Sequence, residues 1–392
     1  MPEIFEKPRG FHDALPALAR LYRTLEDMWR SLYMGYGYEE VMTPTLEYAE
    51  TIGQLTAVKN GRLLKLFDAD GHLLVFRPEM TTPIARMVSA ELKHKKPPLR
   101  LMYTASVYRR QPEAPTHHAA WTQVGVERIG DADLSSDAEI LFLSLESLKR
   151  AGVRDVHLVL SDARLLPIVL DQVFPDSNTK TTVLDHLRAR NLAEVRRLIA
   201  TLPMAGPCRT ALSYVLYPLS LNASTLGGTT SSMALPVEKS KDMMTFDDVR
   251  AALVACAGEK VSRPLQTMHR ISTMITPLLA DSYTMSVDLG LIADQEYYTG
   301  LFFEGYVLKS GVPVVRGGRY DTLLAHFGRP LPATGFALDM ERVAPYTTVE
   351  HPVRPPYRLT YRPDQFSEAI KRAEALQEQG YTVLLESEAD PC

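Results

Sequence analysis

Two stretches decide the fold: Leu99-Arg100-Leu101-Met102-Tyr103-Thr104-Ala105-Ser106-Val107-Tyr108-Arg109 and Trp121-Thr122-Gln123-Val124-Gly125-Val126-Glu127-Arg128-Ile129-Gly130. In the first, Leu99, Leu101, Tyr103, Ala105, Val107 and Arg109 fall on one face of a strand, because side chains alternate with a period of two. In the second, Thr122, Val124 and Val126 point one way and Gln123, Gly125 and Glu127 the other. A strand with apolar groups behind and Gln-Gly-Glu in front is suited to be a ligand floor. A glycine there removes a side chain and admits close approach. The same pattern also fits a one-sided sheet facing water.

Outward from this pair the chain alternates helices and hairpins. Leu18, Leu21, Leu25, Met28, Trp29 and Leu32 recur at helical spacing, and Gly35 and Gly37 end that helix. Apolar runs on either side of Asp68-Ala69-Asp70-Gly71-His72 read as a hairpin, and residues 81–96 as a helix ending in lysines. Ser136 and Glu139 predict a capping box before a buried helix. From about 163 to 280 the pattern is helical throughout, an insertion without strands. Strands return after it. A proline-punctuated linker at 346–356 separates the core, 1–345, from a β-α-β tail at 357–392 that is shorter than an independent domain. The expected class is α+β: a mainly antiparallel sheet with flanking helices.

The 392 residues are 45% hydrophobic and 23% charged with net charge −4, so no global basic field draws the protein to nucleic acid. Cys208, Cys256 and Cys392 form no CxxC pair and no disulfide framework, which predicts a reducing cytoplasm and no structural zinc. The first ten residues lack a signal-peptide core, and no apolar run approaches the ~18 residues that span a bilayer. A cytoplasmic protein without a membrane span is expected.

Four segments carry candidate chemistry, and each has a bland alternative. In Phe76-Arg77-Pro78-Glu79-Met80-Thr81, an acid and a hydroxyl two residues apart suit an ammonium group, or else end a hairpin and cap a helix. Arg109 beside the Gln123–Glu127 floor offers a fork for a carboxylate or phosphate. Tyr297 and Tyr298, within Glu296–Glu304, have hydroxyls able to orient a polar ligand or rings that fill a core. Arg316-Gly317-Gly318-Arg319-Tyr320-Asp321 and Ala333–Arg342 bring backbone close to a ligand or simply turn. No nucleotide, zinc or hydrolase motif is present, so neither cofactor nor metal is expected. Composition and spacing stop at a sheet whose polar face binds something small.

Taken in order, these segments resemble the class II core of histidyl-tRNA synthetases from about Lys7 to Val343. Residues 43–48 resemble the first class II motif, which builds a dimer around its proline, here Pro44. Phe76–Thr81, Val107–Arg109 with Trp121–Glu127, Gly317–Asp321 and Ala333–Arg342 are similar to further signatures of that family. Two departures stand out. The loop Arg110–Ala120, arginine-rich in the synthetases, has almost no positive charge here, and the synthetases' catalytic arginine falls on Ala293. An alanine cannot stabilise charge developing during carboxylate activation. With its shortened tail, the chain resembles the synthetase-like regulatory subunits of ATP phosphoribosyltransferase. The resemblance implies a non-catalytic subunit of histidine biosynthesis, a homodimer in a hetero-oligomer with the short-form catalytic subunit, histidine as effector and no tRNA. It carries histidine contacts onto Glu79, Thr81, Arg109, Gln123, Glu127 and Tyr298. The competing expectations are an active histidyl-tRNA synthetase and a tRNA- or histidine-binding paralogue.

Overall fold

The computed structural model describes residues 4–52, 55, 60–110, 118–174, 176–201, 206–215, 219–220, 246–293, 297–308, 310–349 and 355–388. The expectations about the 111–117 loop, about Asp294, Gln295 and Glu296, about residues 350–354 of the linker and about Cys392 lie outside them. The chain divides into two compact units, 1–348 and 349–392.

The first unit begins with α1 (Pro16–Gly35) and β1 (Glu39–Glu40), then a side sheet of β2 (Leu46–Tyr48), β3 (Lys65–Phe67) and β4 (Leu73–Phe76). Helix α2 (Thr81–Ala90), the pair β5 (Leu99–Tyr108) and β6 (Ala120–Ile129), α3 (Leu134–Arg150) and β7 (Val156–Asp162) follow. Next come α4 (Leu165–Val173), α5 (Ser177–Arg188), α6 (Leu192–Thr201), α7 (Gly206–Val215), β8 (Leu219–Ser220), α8 (Phe246–Ala257) and α9 (Ser262–Ile275). Strands β9 (Thr284–Val287), β10 (Leu301–Val307), β11 (Pro313–Arg319) and β12 (Ala333–Asp339) and helix α10 (Met340–Val343) complete it. The second unit is β13 (Tyr357–Tyr361), α11 (Phe366–Glu378) and β14 (Val383–Ser387), with the two strands parallel and Leu359, Ala369 and Ala373 as its small core.

The main sheet has nine strands in the order β1-β5-β6-β12-β11-β10-β7-β9-β8. Only β1–β5 and β7–β9 pair in parallel. Its back is closed by α1 and α3. Leu25, Trp29, Leu32 and Tyr33 line one stripe of α1 and are buried. Trp29 Nε1 donates to the Ser147 carbonyl at 2.9 Å, and the Tyr33 hydroxyl meets Ser147 Oγ at 2.9 Å, which locks α1 onto α3. Val124 and Val126 are buried on this side. The front of β5 is covered by Met80, Ile84 and Val88, at the start of and within α2, and by Leu323 and Leu324. Both faces are therefore covered, and the water-facing alternative for this strand pair does not apply.

Four local expectations are corrected. The cap of α3 is Asp133, whose carboxylate accepts from Ser135 N at 2.8 Å. Ser136 and Glu139 lie inside the helix, and Glu139 instead pairs with Arg100 and Arg128. Helix α2 stops at Ala90, short of the lysines: the Leu92 amide turns back to the Met87 carbonyl and a turn at Leu92–Lys95 follows. The insertion is not strand-free, since β8 pairs with β9; two residues carry no readable period. Cys208 and Cys256 form a disulfide, Cα to Cα 4.6 Å, because α7 packs against α8 and erases a separation of 48 residues. The Asp68–His72 turn is a hairpin as expected, and Asp68 Oδ1 accepts from Asp70 N at 3.0 Å and His72 N at 2.8 Å. Replacing Asp133 with Ala should cost about 1 kcal/mol of unfolding free energy, read by denaturant titration, as loss of an N-cap does.

Candidate functional site

Strand register assembles the site row by row. Pairing of β12 with β6 sets Gly335 opposite Glu127 and Asp339 opposite Gln123, and pairing of β11 sets Arg316 opposite Ala337 and Glu304. In front of this floor lies a pocket that opens to solvent. All six residues expected from the sequence, Glu79, Thr81, Arg109, Gln123, Glu127 and Tyr298, line it together. Tyr297, whose hydroxyl was one of the two alternatives for its segment, lines it as well, and the structure adds Arg316, Tyr320 and Asp339. Register places Arg316 and Asp339, while Tyr320 directly follows β11 and Tyr297 precedes β10.

Each wall is fixed by its own scaffold. Arg77 donates to the Ser106 carbonyl at 2.8 Å and the Thr43 carbonyl at 2.7 Å, pinning the segment that carries Glu79. Both Glu79 oxygens accept the Thr82 amide, at 3.1 and 3.2 Å, at the N-terminus of α2. The Arg109 guanidinium lies 4.8 Å from the Trp121 ring centre and donates to the Pro78 carbonyl at 3.3 Å. Asp339 accepts from Trp121 Nε1 at 2.8 Å and Gln123 Nε2 at 3.3 Å, and pairs with Arg342 at 3.2 Å.

Glu127 is the centre. Thr81 Oγ1 donates to its Oε1 at 2.8 Å and the Tyr320 hydroxyl donates to its Oε2. Tyr320 is aimed by its neighbours: Arg319 pairs with Asp137 at 2.9 Å and Asp321 at 3.1 Å, and Tyr320 N donates to the Ala333 carbonyl at 2.8 Å. Room for the Glu127 carboxylate exists only because residue 335 is glycine, since a Cβ there would collide with Oε2. Gly125 is equally constrained by the Phe336 carbonyl and the Tyr103 ring.

Glu79 is 2% and Glu127 1% exposed, and burial raises both acids above the usual carboxylate range. For Glu79 burial outweighs the Thr82 hydrogen bonds and the Arg109 charge. For Glu127 it outweighs both hydroxyl donors, Glu79 adds repulsion, and the carboxyl is pushed up to about 8. Glu341 is raised to about 7 by burial although it accepts the Thr122 amide at 3.0 and 2.9 Å. Burial likewise raises Tyr297, Tyr298 and Tyr320, which stay neutral donors. The arrangement suits a small zwitterion, since a guanidinium, two buried acids and several hydroxyls line one cavity.

The histidyl-tRNA synthetase family profile matches residues 10–343. An ATP phosphoribosyltransferase regulatory subunit of Geobacillus thermodenitrificans is 32% identical, over 98% of this chain and 91% of its own length. One of Moorella thermoacetica is 34% identical, over 97% of this chain and 92% of its own.

The chain belongs to the family of ATP phosphoribosyltransferase regulatory subunits.

A crystal structure described as an ATP phosphoribosyltransferase regulatory subunit/histidyl-tRNA synthetase from Bacillus halodurans superposes with TM-score 0.84 at 29% identity, covering 100% of this chain and 94% of that one. A histidyl-tRNA synthetase from Nostoc sp. PCC 7120, at 18% identity and TM-score 0.71, covering 98% of this chain and 86% of its own, shares the class II fold. Within that fold Ala293 of this regulatory-subunit family member is half-buried. No helix among its described residues is long and apolar enough to cross a membrane.

Two substitutions test the site's construction. Gly335→Ala should destabilise by about 1–3 kcal/mol through overpacking against Glu127, seen as a lower melting temperature. Glu127 near 8 when folded and near 4.5 when unfolded binds more protons in the folded state, so stability falls as pH rises from about 4.5 to about 8. Glu127→Gln should therefore raise the melting temperature of the ligand-free protein, and the gain should widen from pH 5 to pH 8.

Proposed function

We propose that this protein activates the short-form catalytic subunit of ATP phosphoribosyltransferase and reports histidine to it, the histidine occupying the cavity between Arg109 and the buried acids. The observation that carries this reading is the convergence of Glu79, Glu127 and Arg109 on one cavity. The carboxylate of a free amino acid suits the Arg109 fork, and its ammonium and imidazole groups suit Glu79 and Glu127. Aminoacylation is not part of the proposal, because Ala293 supplies no charge to an activated carboxylate. Neither cofactor, metal nor tRNA is required by it, and a cytoplasmic setting suits it. Exposed Met42, Tyr48 and Phe67 near Pro44 support a homodimer that covers this face within the hetero-oligomer.

Feedback requires histidine to bind two states of the assembly with different affinity. The test is phosphoribosyltransferase activity of a matched short-form catalytic subunit, with and without this chain, across a histidine titration. The expected result is strong stimulation that histidine reverses. Glu79→Gln should raise the histidine concentration for half-reversal about 10- to 100-fold, the worth of one charged hydrogen bond. Absence of any effect on rate or inhibition contradicts the proposal.

A further inference from the structure

The cavity has an imbalance of charge that its hydrogen bonds do not remove. Asp339 is matched by Arg342, and Arg316 by Glu304 at 3.1 Å. Arg109 acts on Glu79. Glu127 is held by hydroxyls, Thr81 on one oxygen and Tyr320 on the other, with no guanidinium hydrogen-bonded to it among the described residues. The remaining groups facing it give no positive charge. Tyr103 comes from β5, Tyr297 and Tyr298 from the segment before β10, and Glu79 from the turn before α2. A second buried carboxylate beside Glu79 is an anion without a counter-charge, and such a group neutralises itself by keeping a proton.

We propose that ligand entry is coupled to proton loss at this site: the empty cavity keeps a proton on Glu127, and a ligand N–H docking against that carboxylate displaces it to solvent. The balance is simple. The carboxyl O–H bond breaks, the proton passes to buffer, and the carboxylate accepts a hydrogen bond from the ligand nitrogen in place of its own proton. With histidine the donor is the neutral imidazole N–H, while the α-ammonium, charged before and after, faces Glu79. The raised value of Glu127, about 8, places the effect near neutrality. Histidine sensing at this cavity is then a pH-dependent signal: within the window below about 8, affinity rises with pH because the proton competes with the ligand.

This inference rests on the histidine reading above, and the test separates the two. L-histidine is titrated into the full-length protein by calorimetry at pH 7.5 in buffers of different ionisation enthalpy, whose slope counts protons exchanged per ligand. The wild-type protein should release between about half and one proton at pH 7.5, and less than about half of that at pH 8.5, as Glu127 is then ionised before binding. Glu127→Gln should bind without release. Histidine binding with no proton released, with uptake, or with release that persists in Glu127→Gln overturns the coupling and leaves the receptor reading standing. No binding in any buffer overturns both. Where the variant does not bind, the decline between pH 7.5 and 8.5 in the wild-type protein decides the matter.

Discussion

Two carboxylates buried side by side in one cavity are the feature on which the rest of this structure depends. Taking an acid out of water costs several kcal/mol even after relaxation, and two acids repel each other as well. Core packing alone does not place them there. Glu79 and Glu127 are tolerated because the surroundings satisfy their oxygens: the Thr82 amide for one, Thr81 and Tyr320 for the other. What those donors do not supply is positive charge for Glu127. On our proposal, a site built this way is held in readiness for a donor that arrives with the ligand, which is the logic of preorganised recognition.

The scaffold follows from that requirement. Glycine at 335 makes the space for Glu127, and glycine at 125 lets Tyr103 and the Phe336 carbonyl close in beside it. The Arg319–Asp137 pair sets the corner from which Tyr320 reaches the carboxylate. Behind the sheet, the lock of α1 onto α3 through Trp29, Tyr33 and Ser147 gives the floor a rigid back. The polar front can then tolerate a charge problem that a looser sheet would relieve by admitting water. Our reading of the chain as a regulatory sensor rests on this floor together with an alanine at 293, where the resemblance to the synthetases implies an arginine.

Much of this was legible in residue order, and the limits were physical. The alternation of Leu99–Arg109 and Trp121–Ile129 is long and strict, so the strand pair and the inward face with Gln123 and Glu127 could be read directly. Contacts between distant segments could not. Arg316, Tyr320 and Asp339 join the site through pairing of β11 and β12, which the turn-like Gly317-Gly318 hides. The Cys208–Cys256 pair depends on how two helices pack, and spacing carries no trace of that. Asp133 rather than Ser136 caps α3 because both have the right residue type within one turn, and only backbone geometry chooses between them. Burial of both sheet faces was hidden as well, since residue order does not say which face α2 or α3 covers and Leu323 and Leu324 arrive from far along the chain.

The most direct measurement is a crystal structure of this protein with L-histidine bound. The account predicts the ligand in the cavity, its carboxylate at Arg109, its ammonium at Glu79 and an imidazole nitrogen within hydrogen-bond distance of Glu127. Histidine located elsewhere, at a subunit boundary or on the catalytic partner, with this cavity holding only water, would contradict it.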